Sequence, residues 1–210
     1  MAGADHRGRL IAFEGIDGCG KSTQARLAAE WLGALYTFEP GDTPLGASLR
    51  QLLLGSGDVV TPRAEALLMA ADRAQHVDQV VGPALAGGRW VVTDRFSGST
   101  LAYQGAGRGL EEGELVDLVA FATDGLAADL SILVDVPLEV ARGRIRASQP
   151  DRLERLDEGF HRRVADGFRS LARSDPNRWA VVDGARSVDE VASEVTVVLT
   201  KRLGRPKGSE

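Results

Sequence analysis

Three glycines within six residues, followed by a lysine and a serine, mark the first place where this chain can do chemistry: Gly15-Ile16-Asp17-Gly18-Cys19-Gly20-Lys21-Ser22. The Gly-x4-Gly-Lys-Ser spacing is that of a phosphate-binding loop. The glycines let backbone N–H groups converge on one anion. Lys21 brings a mobile positive charge toward β and γ phosphates, and Ser22 offers a hydroxyl to Mg2+. With 25 glycines in the chain, a glycine-rich turn can match by chance. Lysines are scarce, however: only Lys21, Lys201 and Lys207 occur, and one of them stands at the motif position. An apolar run, Leu10-Ile11-Ala12-Phe13, precedes the loop, and a helical pattern over residues 23–32 follows it. That strand–loop–helix context is what the motif demands.

A second pair follows another apolar run. Asp94-Arg95 directly succeeds Trp90-Val91-Val92-Thr93. A carboxylate at the C-terminal end of such a strand is where a phosphate-loop enzyme holds Mg2+, often through water, and an adjacent arginine can grip a phosphoryl oxygen. A surface ion pair is the plain alternative for Asp94-Arg95 taken alone. A third group, Arg142, Arg144, Arg146, Arg152 and Arg155, brackets a helix break at residues 147–151. It reads either as a solvated helical face in an arginine-biased chain or as a lid at about 142–155 that closes basic side chains over phosphates.

These groups need a scaffold that brings them to one edge. Short apolar runs at 9–14, 35–38, 90–93, 131–135 and 179–182 predict strands, separated by helical lengths at 61–86, 111–122, 137–147, 153–173 and 187–203. Pro62 suits a helix start and Pro83 is expected to interrupt that helix near its end. The alternation predicts an α/β domain over residues 9–203, a mostly parallel five-stranded sheet with helices on both faces and loops at its C-terminal edge around the ligand. Residues 1–8 are expected to be a disordered tail and 204–210 a polar, frayed one.

At 210 residues and 43% apolar content, the chain suits one soluble domain. A net charge of −5 argues against a general nucleic-acid footprint, although 22 of the 25 basic residues are arginine. Neither a signal-peptide segment nor a membrane-length apolar stretch is evident, so a cytoplasmic location is expected. The single cysteine excludes an internal disulfide, and it and the scattered His6, His76 and His161 leave no zinc-site spacing. His76, on an apolar helical face, reads as structural. Cys19, at a helix N-terminus, is expected to have a lowered thiol pKa.

The motifs occur in a recognisable order: Phe13 through Thr23, Glu39-Pro40-Gly41, Ala71-Asp72-Arg73-Ala74-Gln75-His76, Asp94-Arg95-Phe96, and Ser99-Thr100-Leu101-Ala102-Tyr103-Gln104-Gly105 running on to Leu110. Over roughly residues 9–200 the chain resembles the thymidylate kinase family, a nucleoside monophosphate kinase fold that transfers the ATP γ-phosphate to dTMP with Mg2+. The resemblance implies that Gly15, Ile16, Asp17, Gly18, Cys19, Gly20, Lys21, Ser22 and Thr23 hold the ATP phosphates, joined by Arg142, with Ser22 and Asp94 on the metal. It assigns Asp17 to the acceptor sugar or metal site, Arg73 to the thymine carbonyl and Arg95 to the dTMP phosphate. Ser99 and Thr100 are assigned to the base edge, and Tyr103, with Gln104 in the same wall, to the place where a ribose 2′-hydroxyl would sit. Glu39 and Met69 complete the acceptor side. Lys21, Arg95, Asp17, Arg146 and Arg152 are the expected catalytic set, the last pair because they flank the helix break.

Three departures from the family pattern stand out. Phe38 takes the place of an arginine in the turn, Met69 that of a phenylalanine stacking on the base, and Gly18 that of a basic loop residue. The last implies a cation from the lid, as in bacterial members. A different nucleoside monophosphate or deoxynucleoside kinase on the same fold is the nearest rival. A guanine-nucleotide switch would need an Asn-Lys-x-Asp that the chain lacks, and a non-catalytic module would be expected to lose Lys21 or Asp94. The resemblance also implies a homodimer through long helices.

Overall fold

In the computed structural model, which describes residues 7–55, 59–145 and 151–204, β1 (Leu10–Glu14) is the central strand of five. On one side lie β3 (Val91–Asp94) and then β2 (Leu35–Phe38); on the other lie β4 (Leu130–Asp135) and then β5 (Trp179–Asp183). Each neighbouring pair runs parallel, so the expected mostly parallel sheet is parallel throughout. Every residue of β1 and β3 is buried, because helices cover both faces and leave no polar side to alternate with. Ile11 and Phe13 enter one hydrophobic cluster, while Leu10 and Ala12 enter the other with Val77, Val81 and Phe96.

The helices follow from local chemistry. α1 (Lys21–Leu32) starts after Gly20, whose φ of 97° suits glycine, and buries Ala25, Ala28, Ala29 and Leu32 as one stripe. α2 (Pro44–Leu54), absent from the sequence reading, begins with Pro44 behind Thr43, whose side chain accepts the Gly46 N–H. α3 (Pro62–His76) continues through a π-helical turn, Val77–Val81, into α4 (Gly82–Ala86). Pro83 therefore lies inside the helical run. Its ring cannot donate to the preceding turn, and the ladder widens just before it, with the Gly82 N–H reaching back to the Val77 carbonyl.

A short α5 (Ser97–Thr100) opens into a second π-helical stretch, Leu101–Gly107. Then come α6 (Glu112–Thr123), α7 (Leu138–Ile145), α8 (Glu158–Ser174) and α9 (Val188–Leu203). The helix expected from residue 153 starts five residues later. Asp151 Oδ1 accepts the N–H groups of Leu153 and Glu154 and holds a turn there, and Asp157 caps α8 by accepting from Phe160 N. α8 buries Phe160, Val164, Phe168 and Ala172 at helical spacing, each large side chain worth on the order of 2 kcal/mol. Close approach of α8 to the π-helical stretch depends on Gly107, where a Cβ would come within 2.7 Å of the Phe160 ring.

Strand register does the positioning. Phe13 and Phe38 both align with Asp94, so the loops leaving β1, β2 and β3 emerge side by side. Of the expected N-terminal tail, residues 1–6 lie outside the described residues, whereas Gly8 is buried and donates its N–H to the Leu85 carbonyl. Among the described residues, no helix is long and apolar enough to cross a membrane.

Candidate active site

The phosphate loop leaves β1 at Glu14 and enters α1 at Lys21. α7 lies directly on it. A Cβ at Gly18, whose φ is +79°, would sit 2.4 Å from the Ala141 carbonyl oxygen and 2.8 Å from the Ile145 side chain. No basic side chain fits there, which gives the departure at Gly18 a steric cause. Arg144 stands beside the loop instead. Its Nη1 donates to the Cys19 carbonyl at 3.2 Å and the Gly184 carbonyl at 2.9 Å, and it lines a cavity with Gly18, Cys19, Gly20, Lys21 and Ser22. Helical spacing was the available signal, since Arg144 follows the buried Ala141 by three positions.

The other arginines of the expected lid divide. Arg146 lies outside the described residues, as do 147–150. Arg142 pairs at 2.8 Å with Glu158 on the exposed surface. Arg152 donates through Nε to the Leu53 carbonyl at 2.7 Å and through Nη2 to Glu65 at 2.7 Å. Its guanidinium thus ties this part of the expected lid to α2 and α3. Cys19 differs from expectation. It is 1% exposed, and burial pushes its thiol pKa up, outweighing the opposing pull of Lys21.

A second cavity adjoins the loop. Its walls include Asp17, Glu39, Met69, Arg73, Arg95, Ser99, Thr100, Tyr103 and Gln104, so one cleft gathers every acceptor-side residue singled out in the sequence. Ser99 and Thr100 of α5 run directly into the π-helical stretch that carries Tyr103 and Gln104, so one continuous helical segment contributes four of these residues. Arg50 and Leu54 of α2, with Asp151 and Leu153 of the expected lid, line the same cleft. Arg50 donates to the Pro40 carbonyl at 2.8 Å, placing a cation on the turn where Phe38 replaces the family's arginine. Sequence reading missed it because α2 itself was missed.

Asp17 joins the two cavities. Its Oδ1 accepts from Arg95 Nη2 and from the Lys21 ammonium at 3.3 Å, and its Oδ2 accepts from the Tyr103 hydroxyl at 2.8 Å. Burial alone would raise the carboxyl pKa, but Arg95 and Lys21 outweigh it and hold the group well below the usual carboxylate range. Arg95 has an unusual φ of +74° for a residue with a side chain, and its guanidinium lies 4.8 Å from the Tyr103 ring centroid.

Beneath Arg95 sits Glu14, fully buried and given no role in the sequence beyond its place in the strand and in the Phe13–Thr23 motif. Its Oε1 accepts from the N–H groups of Phe96 and Ser99, and Oε2 from the Ser99 hydroxyl at 2.6 Å. Ser99 in turn accepts from Arg95 at 3.0 Å. Burial pushes the Glu14 carboxyl up to about 7.

Arg73 is held on three sides: Nε on Glu39 at 2.8 Å, Nη1 on Thr100 at 2.7 Å and Nη2 on the Phe96 carbonyl at 3.0 Å. Glu39 is itself held by His76 Nδ1 at 2.9 Å, and the other ring nitrogen of His76 meets Thr37 at 2.5 Å. His76 is therefore a buried structural contact. The hydroxyls of Ser99 and Thr100 line the cleft while bonded to the arginines.

For a divalent cation, the telling atom is Asp94 Oδ1, buried with no hydrogen-bond partner among the described residues. An orphaned carboxylate oxygen at a strand end, with Ser22 in the neighbouring loop cavity, fits the oxygen-rich, partly hydrated shell of Mg2+. No cluster of three or more His, Cys, Asp or Glu residues suited to a metal occurs among the described residues. Mg2+ bound chiefly by phosphates and water does not need one.

Comparison with known proteins converges on one description. The family model "Thymidylate kinase" matches residues 13–195. A thymidylate kinase of Synechococcus sp. (strain CC9902) is 47% identical over 208 residues, covering 93% of this chain and 99% of its own. One from Chromobacterium violaceum is 43% identical over 211 residues, covering 98% and 100%. The crystal structure of thymidylate kinase from Ehrlichia chaffeensis superposes with a TM-score of 0.76 at 32% identity, covering 92% of this chain and 99% of that one.

Proposed function

The chain belongs to the thymidylate kinase family, and from that premise we propose how its own residues move a phosphoryl group from ATP to dTMP. The overall reaction gives dTDP and ADP: the dTMP phosphate oxygen forms a bond to the γ-phosphorus as the bond to the ADP oxygen breaks. The acceptor is already an anion, so no general base is required. What the protein must supply is in-line positioning and positive charge around the transferring group.

The reading rests chiefly on Asp17, whose carboxylate belongs to the phosphate loop yet lines the second cleft and binds Arg95 and Tyr103. The loop glycines and Lys21 take the ATP phosphates, and Arg95 takes the acceptor phosphate. Phosphates arriving from the two sides compete for cations that Asp17 holds meanwhile. Arg144, beside the loop, supplies a basic group where Gly18 supplies none. The Arg142, Arg146 and Arg152 assignments extend the same lid, with Arg152 anchoring it through Leu53 and Glu65. In the acceptor cleft, Arg73 faces the base edge with Thr100 and Ser99. Gln104, expected in the sugar wall with Tyr103, is assigned here to the base edge because Glu65 holds its amide nitrogen. Met69 packs on the base, Glu39 holds Arg73, and Tyr103 crowds the sugar position so that a ribose is excluded sterically.

Mg2+, held by Ser22 and Asp94, would neutralise charge on the β and γ phosphate oxygens. A homodimer in the cytoplasm completes the proposal. Its support is apolar side chains left exposed on two helices that touch, Leu67 on α3 and Val116 and Phe121 on α6. The direct test is ADP release with dTMP, dUMP, dCMP and AMP as acceptors in the presence of Mg2+. Turnover is expected to be fastest with dTMP; release no faster with dTMP than without an acceptor would end the proposal.

A further inference from the structure

A buried carboxylate outside the cleft is hydrogen-bonded to a side chain in one of its walls. Glu65 on α3 is 0% exposed. Its Oε1 accepts from Gln104 Nε2 at 2.8 Å, and its Oε2 accepts from Arg108 at 2.8 Å and Arg152 at 2.7 Å. An ionised carboxylate can only accept, so Gln104 must turn its NH2 group toward Glu65; the reverse orientation would oppose two oxygens with no proton between them. Three hydrogen-bonding partners hold Glu65 ionised, its pKa lowered despite a burial penalty that acts in the opposite direction. Gln104 lines the acceptor cleft beside Thr100 and Arg73. With its nitrogen engaged by Glu65, the amide has its carbonyl oxygen left to offer there, next to the donor-only guanidinium of Arg73.

We infer that Glu65 is a positioning residue for base specificity, fixing the Gln104 amide so that the cleft presents an acceptor beside the Arg73 donor. That pair matches a pyrimidine whose N3 carries a proton next to a carbonyl at C4, as in thymine. A cytosine ring presents the opposite polarity at both places, a bare N3 next to an amino group, and would set acceptor against acceptor and donor against donor. Such mismatches leave buried polar groups unpaired, which is how a hydrogen-bonding pocket rejects a near-isostere. The inference rests on the reading of this cleft as the dTMP base site. It adds that selectivity is set one residue further back, by a side chain that touches no substrate.

The test compares dTMP with 5-methyl-dCMP, which keeps the ring methyl and inverts only the polar edge. Wild-type enzyme is expected to favour dTMP by about 10²-fold or more in kcat/KM. In the Glu65→Gln variant the facing group can donate or accept, so the Gln104 amide is free to flip, and the preference should fall at least about tenfold, chiefly through a gain with 5-methyl-dCMP. Glu65→Asp keeps an acceptor-only group and should retain more of the preference. Arg162→Ala, which removes an exposed partner of Glu158 on α8, is the control and should leave the ratio unchanged. A merely structural role would lower both substrates together, so an unchanged ratio in folded Glu65→Gln overturns the inference. Should that variant not fold, wild-type binding of 3-methyl-dTMP decides: affinity equal to that for dTMP overturns it, and a loss of about tenfold or more supports it. A wild-type protein that does not phosphorylate dTMP at all would instead refute the underlying reading of the site.

Discussion

Arg95 donates from Nη2 to Oδ1 of Asp17, the same carboxylate oxygen that accepts from the Lys21 ammonium. One loop carboxylate therefore holds the principal cation of each cavity, and a phosphate entering from either side meets a cation already oriented. Replacing Asp17 with Asn keeps the shape and removes the charge. Steady-state kinetics of Asp17→Asn should show KM for dTMP raised about tenfold or more and kcat lowered, with KM for ATP changed less, because charge-assisted bonds are the stronger ones. Near-normal kcat and KM for dTMP would show that Asp17 does not organise the acceptor side.

Arg144 bonds the carbonyls of Cys19 and Gly184, and no side chain at Gly18 can replace it. Arg144→Met keeps the aliphatic stem and should lower kcat by about 10- to 100-fold, the order expected for losing one preorganised charge. Arg162, an exposed partner of Glu158 one turn earlier, is the control. Its replacement by Ala should change stability by less than about 1 kcal/mol and leave turnover alone. Equal effects at both positions would deny Arg144 its role.

The Glu14 carboxyl has an ordinary pKa of 4.5 and is pushed up to about 7 in the fold by burial. Between those values the unfolded chain has lost the proton and the folded chain retains it. Stability from this group is thus fully present below 4.5, falls as pH rises through the interval and levels off above about 7. Glu14→Gln has nothing to titrate. The difference in unfolding free energy between the variant and wild type should shift in the variant's favour by up to roughly 3 kcal/mol from about pH 4.5 to 7. Denaturant melts across that range that stay parallel would refute the assignment. Asp72, raised to about 6 largely by burial, titrates in both proteins and cancels in the comparison.

His76 bridges Thr37 and Glu39 inside the protein. His76→Ala removes one contact from each partner, but Thr37 keeps Asp42 and Glu39 Oε2 keeps Arg73, so it should destabilise by about 1–3 kcal/mol for the Glu39 Oε1 left unsatisfied. His76→Asn can still donate near the Nδ1 position and should recover part of that loss together with the dTMP affinity that depends on Glu39 and Arg73. Thermal melts and KM for dTMP read the two effects separately; no recovery in either would mean that the ring's volume matters and its hydrogen bonds do not.

Phe121 is 88% exposed on α6. If α3 and α6 meet a second copy, Phe121→Glu should convert a dimer to a monomer in sedimentation without loss of secondary structure. A wild-type monomer at micromolar concentration would rule out the proposed assembly.

Local sequence determined a good deal here. Short apolar runs fully buried on both faces betray a parallel sheet, and the loop's glycines, Lys21 and Ser22 are legible because backbone geometry and charge must occur at fixed spacing. The acceptor-side residues were legible through the resemblance, and nine of them share one cleft. Other features depended on contacts distant in the chain. Gly18 is bare because α7 crosses it 123 residues later, at Ala141. Arg50 reaches the cleft from a helix whose sequence pattern did not announce it. The two π-helical turns carry no local code: one lies just before Pro83, and the other, which carries Tyr103 and Gln104, packs against α8. Cys19 looked reactive from its place at a helix start, yet burial reverses the sign of its pKa shift. Composition and spacing specify which groups are present and which elements carry them. Burial, amide orientation and the pairing of charges are properties of neighbours, and only the folded chain supplies the neighbours.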